Sequence, residues 1–301
     1  MRIGFGVPVS GSWATPDNMI TIARRAEELG YHSLWTFQRL LFPADHAMGP
    51  AYRSVQDPIV TLSYLAGVTS TIRLGVAVLN MPFFSPALLA KQLATLQIVS
   101  RGRLDAGLGL GWLPEEFAAS GVPIEHRGRR AEEYVAVLRR LWSHGIVEHK
   151  GEFYQVPPAH SDPRPDPAPP IILGGTAEPA LRRAGRLADG WVSSSRVDLT
   201  TIGEQIYIVK EAAREAGRDP GALRFIVRGV TRPGKAGQPD RRPLSGSYEE
   251  IRRDLAVLEE QGVTEVFHDL NFNPEFGSPD ADAVEAMHRA DEILEALSPR
   301  A

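Results

Sequence analysis

Residues 72–110, IRLGVAVLNMPFFSPALLAKQLATLQIVSRGRLDAGLGL, hold the fold in miniature. Residues 72–79 form a near-continuous apolar run, the mark of a strand buried on both faces. Residues 86–99 open on a proline and read as a helix. Residues 104–110 form a second strand, rich in glycine toward its C-terminal end. Strand, helix and strand in so short a length predict parallel strands joined by a crossover helix.

The same alternation extends in both directions. Toward the N-terminus, residues 2–9 predict a first strand. Thr15 and Pro16 open a helix whose apolar positions are Met19, Ile22, Ala23, Ala26 and Leu29, and Gly30 closes it. Residues 32–37 give a second strand, 38–55 a long loop with an uncertain helical piece, and 57–70 a helix. Toward the C-terminus, helices are expected over 129–142, 178–187, 202–216, 247–261 and 280–297, and strands over 171–173, 191–193, 223–230 and 265–270. Eight strand–helix units predict an α/β chain folded as a (β/α)8 TIM barrel with variable insertion loops, one domain spanning residues 1–301. A doubly wound sheet is the alternative, because short apolar runs are easily miscounted. Two segments stand outside the alternation. Residues 145–169, with six prolines among them, read as a loop that is a crossing arm or a lid. The polar residues 232–245 read as a mobile insert.

Composition excludes several chemistries. The 301 residues contain no cysteine, which removes disulfides, thiolate metal sites and cysteine nucleophiles. The net charge of −4 gives no reason to expect a nucleic-acid partner or an anionic membrane surface. No leader precedes the first strand and no run is long enough to span a bilayer, so a cytoplasmic protein without membrane contact is expected. The histidines show neither H-x-x-x-H nor H-x-H spacing, so no metal site is expected.

A barrel keeps its chemistry where the C-terminal ends of the strands meet the following loops. Gly174-Gly175-Thr176 is the sharpest local signal there. A strand runs into two glycines, a hydroxyl and a helix start, where backbone N–H groups can face an anion. Ser193-Ser194-Ser195-Arg196 could add hydroxyls and a guanidinium. The plain reading is a tight turn and a serine cap. Gly107-Leu108-Gly109-Leu110-Gly111 is not the dinucleotide fingerprint G-x-G-x-x-G; its small residues either admit a flat group or relieve crowding. Glu115, Glu116 and His268 are acid–base candidates, of which only one in the pair His268-Asp269 can face the centre. Arg127, Arg129 and Arg130 reach an anion or pair with acids such as Glu132 and Glu133.

The chain resembles the bacterial-luciferase-like superfamily, and within it the deazaflavin (coenzyme F420)-dependent oxidoreductases. The resemblance runs in family order through residues 26–35, 74–76 to Pro86, 90–96, 100–104, 107–109 with Glu116, Phe117 and Gly121, Arg127-Gly128, 132–133, 141–142, 151–154, 170–175 and 188–191. It implies F420, or alternatively FMN, in the barrel mouth beside a non-proline cis peptide matching Ala77–Val78. The implied cofactor contacts are Ala77, Val78, Asn80, Glu115, Gly174, Gly175, Thr176, Val192, Ser193 and Ser194. It also implies a small organic substrate, a homodimer, and in some members a flavin or F420 reductase partner. One departure stands out. Where many relatives place an acid and a histidine after strand two, this chain reads Trp35-Thr36-Phe37-Gln38-Arg39. Guanidinium does not exchange protons near neutrality as imidazole does. Phe37, Gln38 and Arg39 are therefore expected to line the reaction site by stacking, orienting and polarising. Three functions follow: an F420-dependent hydride-transfer enzyme, an FMN-dependent monooxygenase, or a binder of either cofactor without turnover.

Overall fold

The computed structural model describes residues 1–45 and 48–300. Eight parallel strands close into a barrel: β1 (Arg2–Gly6), β2 (Ser33–Thr36), β3 (Arg73–Val76), β4 (Leu104–Gly109), β5 (Ile171–Gly174), β6 (Gly190–Val192), β7 (Arg224–Val230) and β8 (Glu265–Asp269). Each pairs with its neighbours in order, and β8 returns to β1 through Arg2↔Glu265 and Phe5↔His268. Eight helices surround it: α1 (Pro16–Glu28), α2 (Pro58–Ala66), α3 (Pro86–Val99), α4 (Arg127–Leu141), α5 (Glu178–Leu187), α6 (Ile202–Glu215), α7 (Tyr248–Glu260) and α8 (Ala283–Ala296). Thr15, Asp57, Ser85, Ser247 and Asp282 cap the N-termini of α1, α2, α3, α7 and α8 with side-chain oxygens, as such residues do for unpaired N–H groups.

Alternation along each strand divides the apolar residues into two layers. One set faces the helices and forms the large core. The other fills the barrel, with Trp35, Ile172, Val192, Ile226 and Phe267 at mid-height. Trp35 stacks on Phe267 with centroids 5.1 Å apart and planes 17° from parallel. A side chain at Gly75 would run into the Trp35 ring, so β3 contributes a glycine there.

The floor of the barrel is ionic. Asp105 receives two hydrogen bonds from Arg73 (2.6 and 3.0 Å) and two from Arg224 (2.6 and 3.0 Å). Arg224 also donates to Glu265 at 2.7 Å, and Glu265 accepts from Ser33 (2.6 Å) and from the Trp35 indole (3.0 Å). Burial would raise the Asp105 pKa, but the bonds from Arg73 and Arg224 hold it below the usual carboxylate value.

Two segments differ from their sequence reading. Residues 145–169 include an antiparallel hairpin, Ile146–Lys150 against Gln155–His160. Pro157 and Pro158 disguise its exposed strand, where a missing N–H costs no ladder bond. Glu133 of α4 ties the hairpin down, accepting from Phe153 N (3.0 Å) and Tyr154 N (2.8 Å). The polar residues 232–245 are likewise fastened. Arg232–Pro233 pairs with Ser245–Gly246, Arg241 forms a two-point ion pair with Asp254 (2.6 and 2.8 Å), and Leu244 is fully buried.

His268 points out of the barrel into the packed layer, its Nδ1 2.8 Å from the Thr231 hydroxyl. Burial pushes its pKa from 6.5 down to about 4, so it is neutral in the fold. As pH falls, the unfolded chain therefore takes up this proton first, and stability falls between about pH 6.5 and 4. We expect the urea midpoint to drop across that window and His268→Gln to flatten the slope between pH 6.5 and 5. An unchanged slope in the variant would assign it to another group.

Candidate active site

A cleft of about 780 Å³ opens at the C-terminal ends of the strands. Its base is an interruption in the barrel wall. β3 ends at Val76, the peptide Ala77–Val78 is cis, and the chain resumes pairing with β4 at Leu79↔Leu108 and Asn80↔Gly109. Val78 is thereby brought against β4 and β5. A Cβ on Gly109 would collide with the Val78 side chain, and one on Gly174 would lie 3.0 Å from it. A Cβ on Gly107 would strike the Val76 carbonyl. These glycines make room for the displaced chain, and Ala77, Val78, Gly109 and Gly174 together form a low shelf in the cleft.

Arg228 supports that shelf. It is buried, donates from Nη2 to the Ala77 carbonyl, and has Nε 3.6 Å from Asp269 Oδ2. Phe37, Phe267 and Phe272 face its guanidinium at 5.1–5.7 Å. Burial lowers the Arg228 pKa and raises that of Asp269, while each partner's charge works the other way.

One end of the cleft is suited to anions. The turn Gly174-Gly175-Thr176 leads into α5, whose N-cap, Ala177, supplies no side-chain hydrogen bond. Gly175 has φ 137°, open to glycine and rarely to other residues. The Trp191 indole fixes the turn by donating to Gly175 O at 2.8 Å. Arg127 and Gly128 bring the N-terminus of α4 to the same end, also without a side-chain cap, and Arg183 lines it from α5. Val192, Ser193 and Ser194 complete the wall. Ser193 Oγ accepts from Arg228 N at 3.0 Å, and Ser194 Oγ from Arg196 N at 3.1 Å. Of the basic cluster, Arg127 reaches the cleft, whereas Arg129 pairs with Glu152 and Arg130 donates to Pro123 O.

The other end is aromatic. Phe37, Tyr52 and Trp112 line it with Gln38 and Arg39. Arg39 lies between the Tyr52 and Trp112 rings, 4.9 Å from each centroid, and contacts Glu116 Oε2 at 2.8 Å. Glu116 also accepts from Leu40 N (2.7 Å) and Leu41 N (3.3 Å), so one carboxylate holds both the arginine and the chain after it. Gln38 Oε1 accepts from Asn80 N at 2.8 Å, while its Nε2 is buried without a partner.

Twelve of the thirteen residues expected from sequence thus line one cleft, and Glu115 does not. Glu115 is exposed on the short helix Pro114–Ala119, and its neighbour Glu116 turns inward instead. Tyr52, Arg183 and Arg228 also line the cleft, beyond the residues the sequence points to. Arg228 carried a usable signal, since Arg224, Ile226 and Arg228 share one face of β7 by alternation. Among the described residues no group of three His, Asp or Glu could hold a metal ion, and His46 lies outside them. No described helix is long and apolar enough to cross a membrane.

A closed parallel barrel with its cleft at the strand C-termini has the layout of a TIM-barrel enzyme. The chain belongs to the luciferase-like monooxygenase family, whose model matches residues 3–236. A relative from Mycobacterium tuberculosis (strain ATCC 25618 / H37Rv), Uncharacterized protein Rv0953c, is 32% identical over 303 residues, covering 94% of this chain and 96% of the relative. Among solved structures, monooxygenase RslO1 from Streptomyces bottropensis superposes with a TM-score of 0.82 at 22% identity, covering 99% and 98% of the two chains. The coenzyme F420-dependent tetrahydromethanopterin reductase from Methanopyrus kandleri gives 0.77 at 18%, covering 100% and 98%. Proteins named for F420 dependence and for monooxygenase activity therefore share this fold.

Replacing Glu116 with alanine should release residues 39–41. A hydrogen bond to a charged acceptor contributes ~1.5–3 kcal/mol. The Leu40 and Leu41 amides should then exchange with solvent at least about tenfold faster in the variant. Equal rates by hydrogen-exchange NMR would show that the carboxylate does not hold this segment.

Proposed function

We propose that the protein is a cytoplasmic F420-dependent oxidoreductase acting on a small organic molecule. The observation that carries this reading is the cleft's division into a cationic end with two uncapped helix N-termini and an aromatic end, joined by the glycine-flanked Val78 shelf. A flat ring with an anionic tail fits that layout. Arg127 has no described carboxylate partner, and Arg196, exposed over the Trp112 ring, also lines the cleft. These spare cations suit a tail with more than one anionic group, which favours F420 over FMN.

When bound, the deazaflavin supplies hydride chemistry at ring carbon C5. The chain's own part is positional. Ala77 and Val78 would seat the ring, Arg228 fixes the Ala77 carbonyl, and the Gly174–Thr176 turn with Arg127 would hold the tail. Gln38 and Phe37 would orient the substrate. The Glu116-paired Arg39 polarises without exchanging protons.

Parallel titration of cofactor-stripped protein with F420 and FMN tests this reading. F420 should bind with a micromolar dissociation constant or tighter, about −8 kcal/mol. FMN should bind more weakly, and Arg127→Ala should weaken F420 severalfold. Tighter FMN binding would overturn the proposal and favour an oxygen-using flavin enzyme fed by a reductase. F420 binding without turnover across a broad acceptor panel would leave a carrier.

We further propose a homodimer. Val60 and Tyr64 of α2 and Leu88, Ile98 and Val99 of α3 are exposed apolar residues on adjacent helices. Sedimentation should give twice the chain mass, and Val60→Glu with Leu88→Glu should give the monomer. A monomeric parent protein would refute this.

A further inference from the structure

We infer that the aromatic end of the cleft takes a neutral, conjugated ring bearing a carbonyl oxygen, and that Gln38 selects it by donating to that oxygen. The inference deepens the proposed function and rests on it for the use of the site, though not for the binding itself.

Charge pairing is the first support. Arg39 is matched by Glu116 at 2.8 Å, and Arg228 by Asp269 at 3.6 Å. Both pairs are buried, so no unpaired cation is buried at this end; Arg196, exposed at the rim, lies 5.5 Å from the Trp112 ring centroid. A carboxylate that reached the buried donors would meet Glu116 and Asp269 with no unpaired buried cation to receive it. A neutral molecule meets no such penalty.

The second support is an unmet donor. Gln38 is only 4% exposed, and the Asn80 amide claims its Oε1. The side-chain amide is therefore fixed in orientation, leaving Nε2 buried and unbonded in the protein. Arg39 Nε is in the same condition. Buried donors without partners are rare and call for an acceptor from elsewhere. A carbonyl oxygen accepts two hydrogen bonds without bringing charge.

The third support is shape. Phe37, Tyr52 and Trp112 line the cleft together with Gln38 and Arg39, and such aromatic walls suit a flat conjugated ring. Trp112, which lines the cleft, is 44% exposed and offers apolar surface to a ligand of low polarity.

Equilibrium dialysis with two probes of one ring size tests the inference: 1,4-naphthoquinone, neutral with carbonyl oxygens, and 1-naphthoate, its carboxylate counterpart. The protein should hold naphthoquinone at least tenfold more tightly than naphthoate. Gln38→Glu keeps an acceptor for Asn80 N and removes the donor, and it should cost naphthoquinone at least tenfold. Gln38→Met gives the same readout should the glutamate variant fail to fold, as judged by circular dichroism. The inference is overturned where naphthoate binds as tightly as naphthoquinone, or where a folded Gln38 variant keeps parental affinity for naphthoquinone. Failure of both F420 and FMN to bind, with the probe results as expected, removes the cofactor reading and leaves this one standing. Cofactor binding with failed probe results removes this one alone.

Discussion

Everything above the barrel's midline rests on the ion cluster that fills its floor. Asp105 binds Arg73 and Arg224 at once, and Arg224 carries the connection to Glu265. These residues come from β3, β4, β7 and β8, so the cluster ties strands on different sides of the barrel across its interior. Buried ions repay their lost hydration only when every partner is present. Here each carboxylate oxygen has at least one donor, Ser33 and the Trp35 indole completing the set on Glu265. That indole bond sets the height and tilt of Trp35, whose ring then stacks on Phe267. A polar floor thus orders the apolar layer on which the cleft is built.

The middle and upper layers follow a different rule, in which small residues make room for large ones. Gly75 yields to Trp35, while Gly107 and Gly109 yield to the chain from Val76 to Val78. A parallel strand of ordinary side chains could not pass so close to β4. Gly107 and Gly109 are thus explained by their neighbour in space, whereas Gly111 takes φ 71° beside Phe83 and Phe117.

Much of this was legible in the sequence. The units of strand and helix gave the barrel, because apolar runs and capping residues are local signals: Thr15, Asp57 and Ser85 sit at helix starts as their side chains dictate. The turn at Gly174–Thr176 was legible for the same reason, and the departure at Gln38-Arg39 could be seen by eye. What stayed hidden depends on distance in space. Glu115 and Glu116 are neighbours on a helix of six residues, too short for its apolar pattern to say which turns inward. Tyr52 reaches the cleft from a loop whose course no local rule fixes. The hairpin at 146–160 was masked by prolines that only an exposed edge tolerates.

The aromatic end also has a consequence for how such a site can be altered. Arg39 follows β2, Tyr52 lies further along the same connection, and Trp112 and Glu116 follow β4. The guanidinium is held by two aromatic rings and one carboxylate from these partners. Exchanging one loop for that of another barrel would strand either a buried cation or a buried carboxylate. The two connections behave as one heritable unit, to be transplanted together or left alone. The turn at Gly174–Thr176 shares none of these contacts and could be grafted independently. The aromatic end of this barrel therefore changes in blocks, while the Gly174–Thr176 turn is free of that coupling.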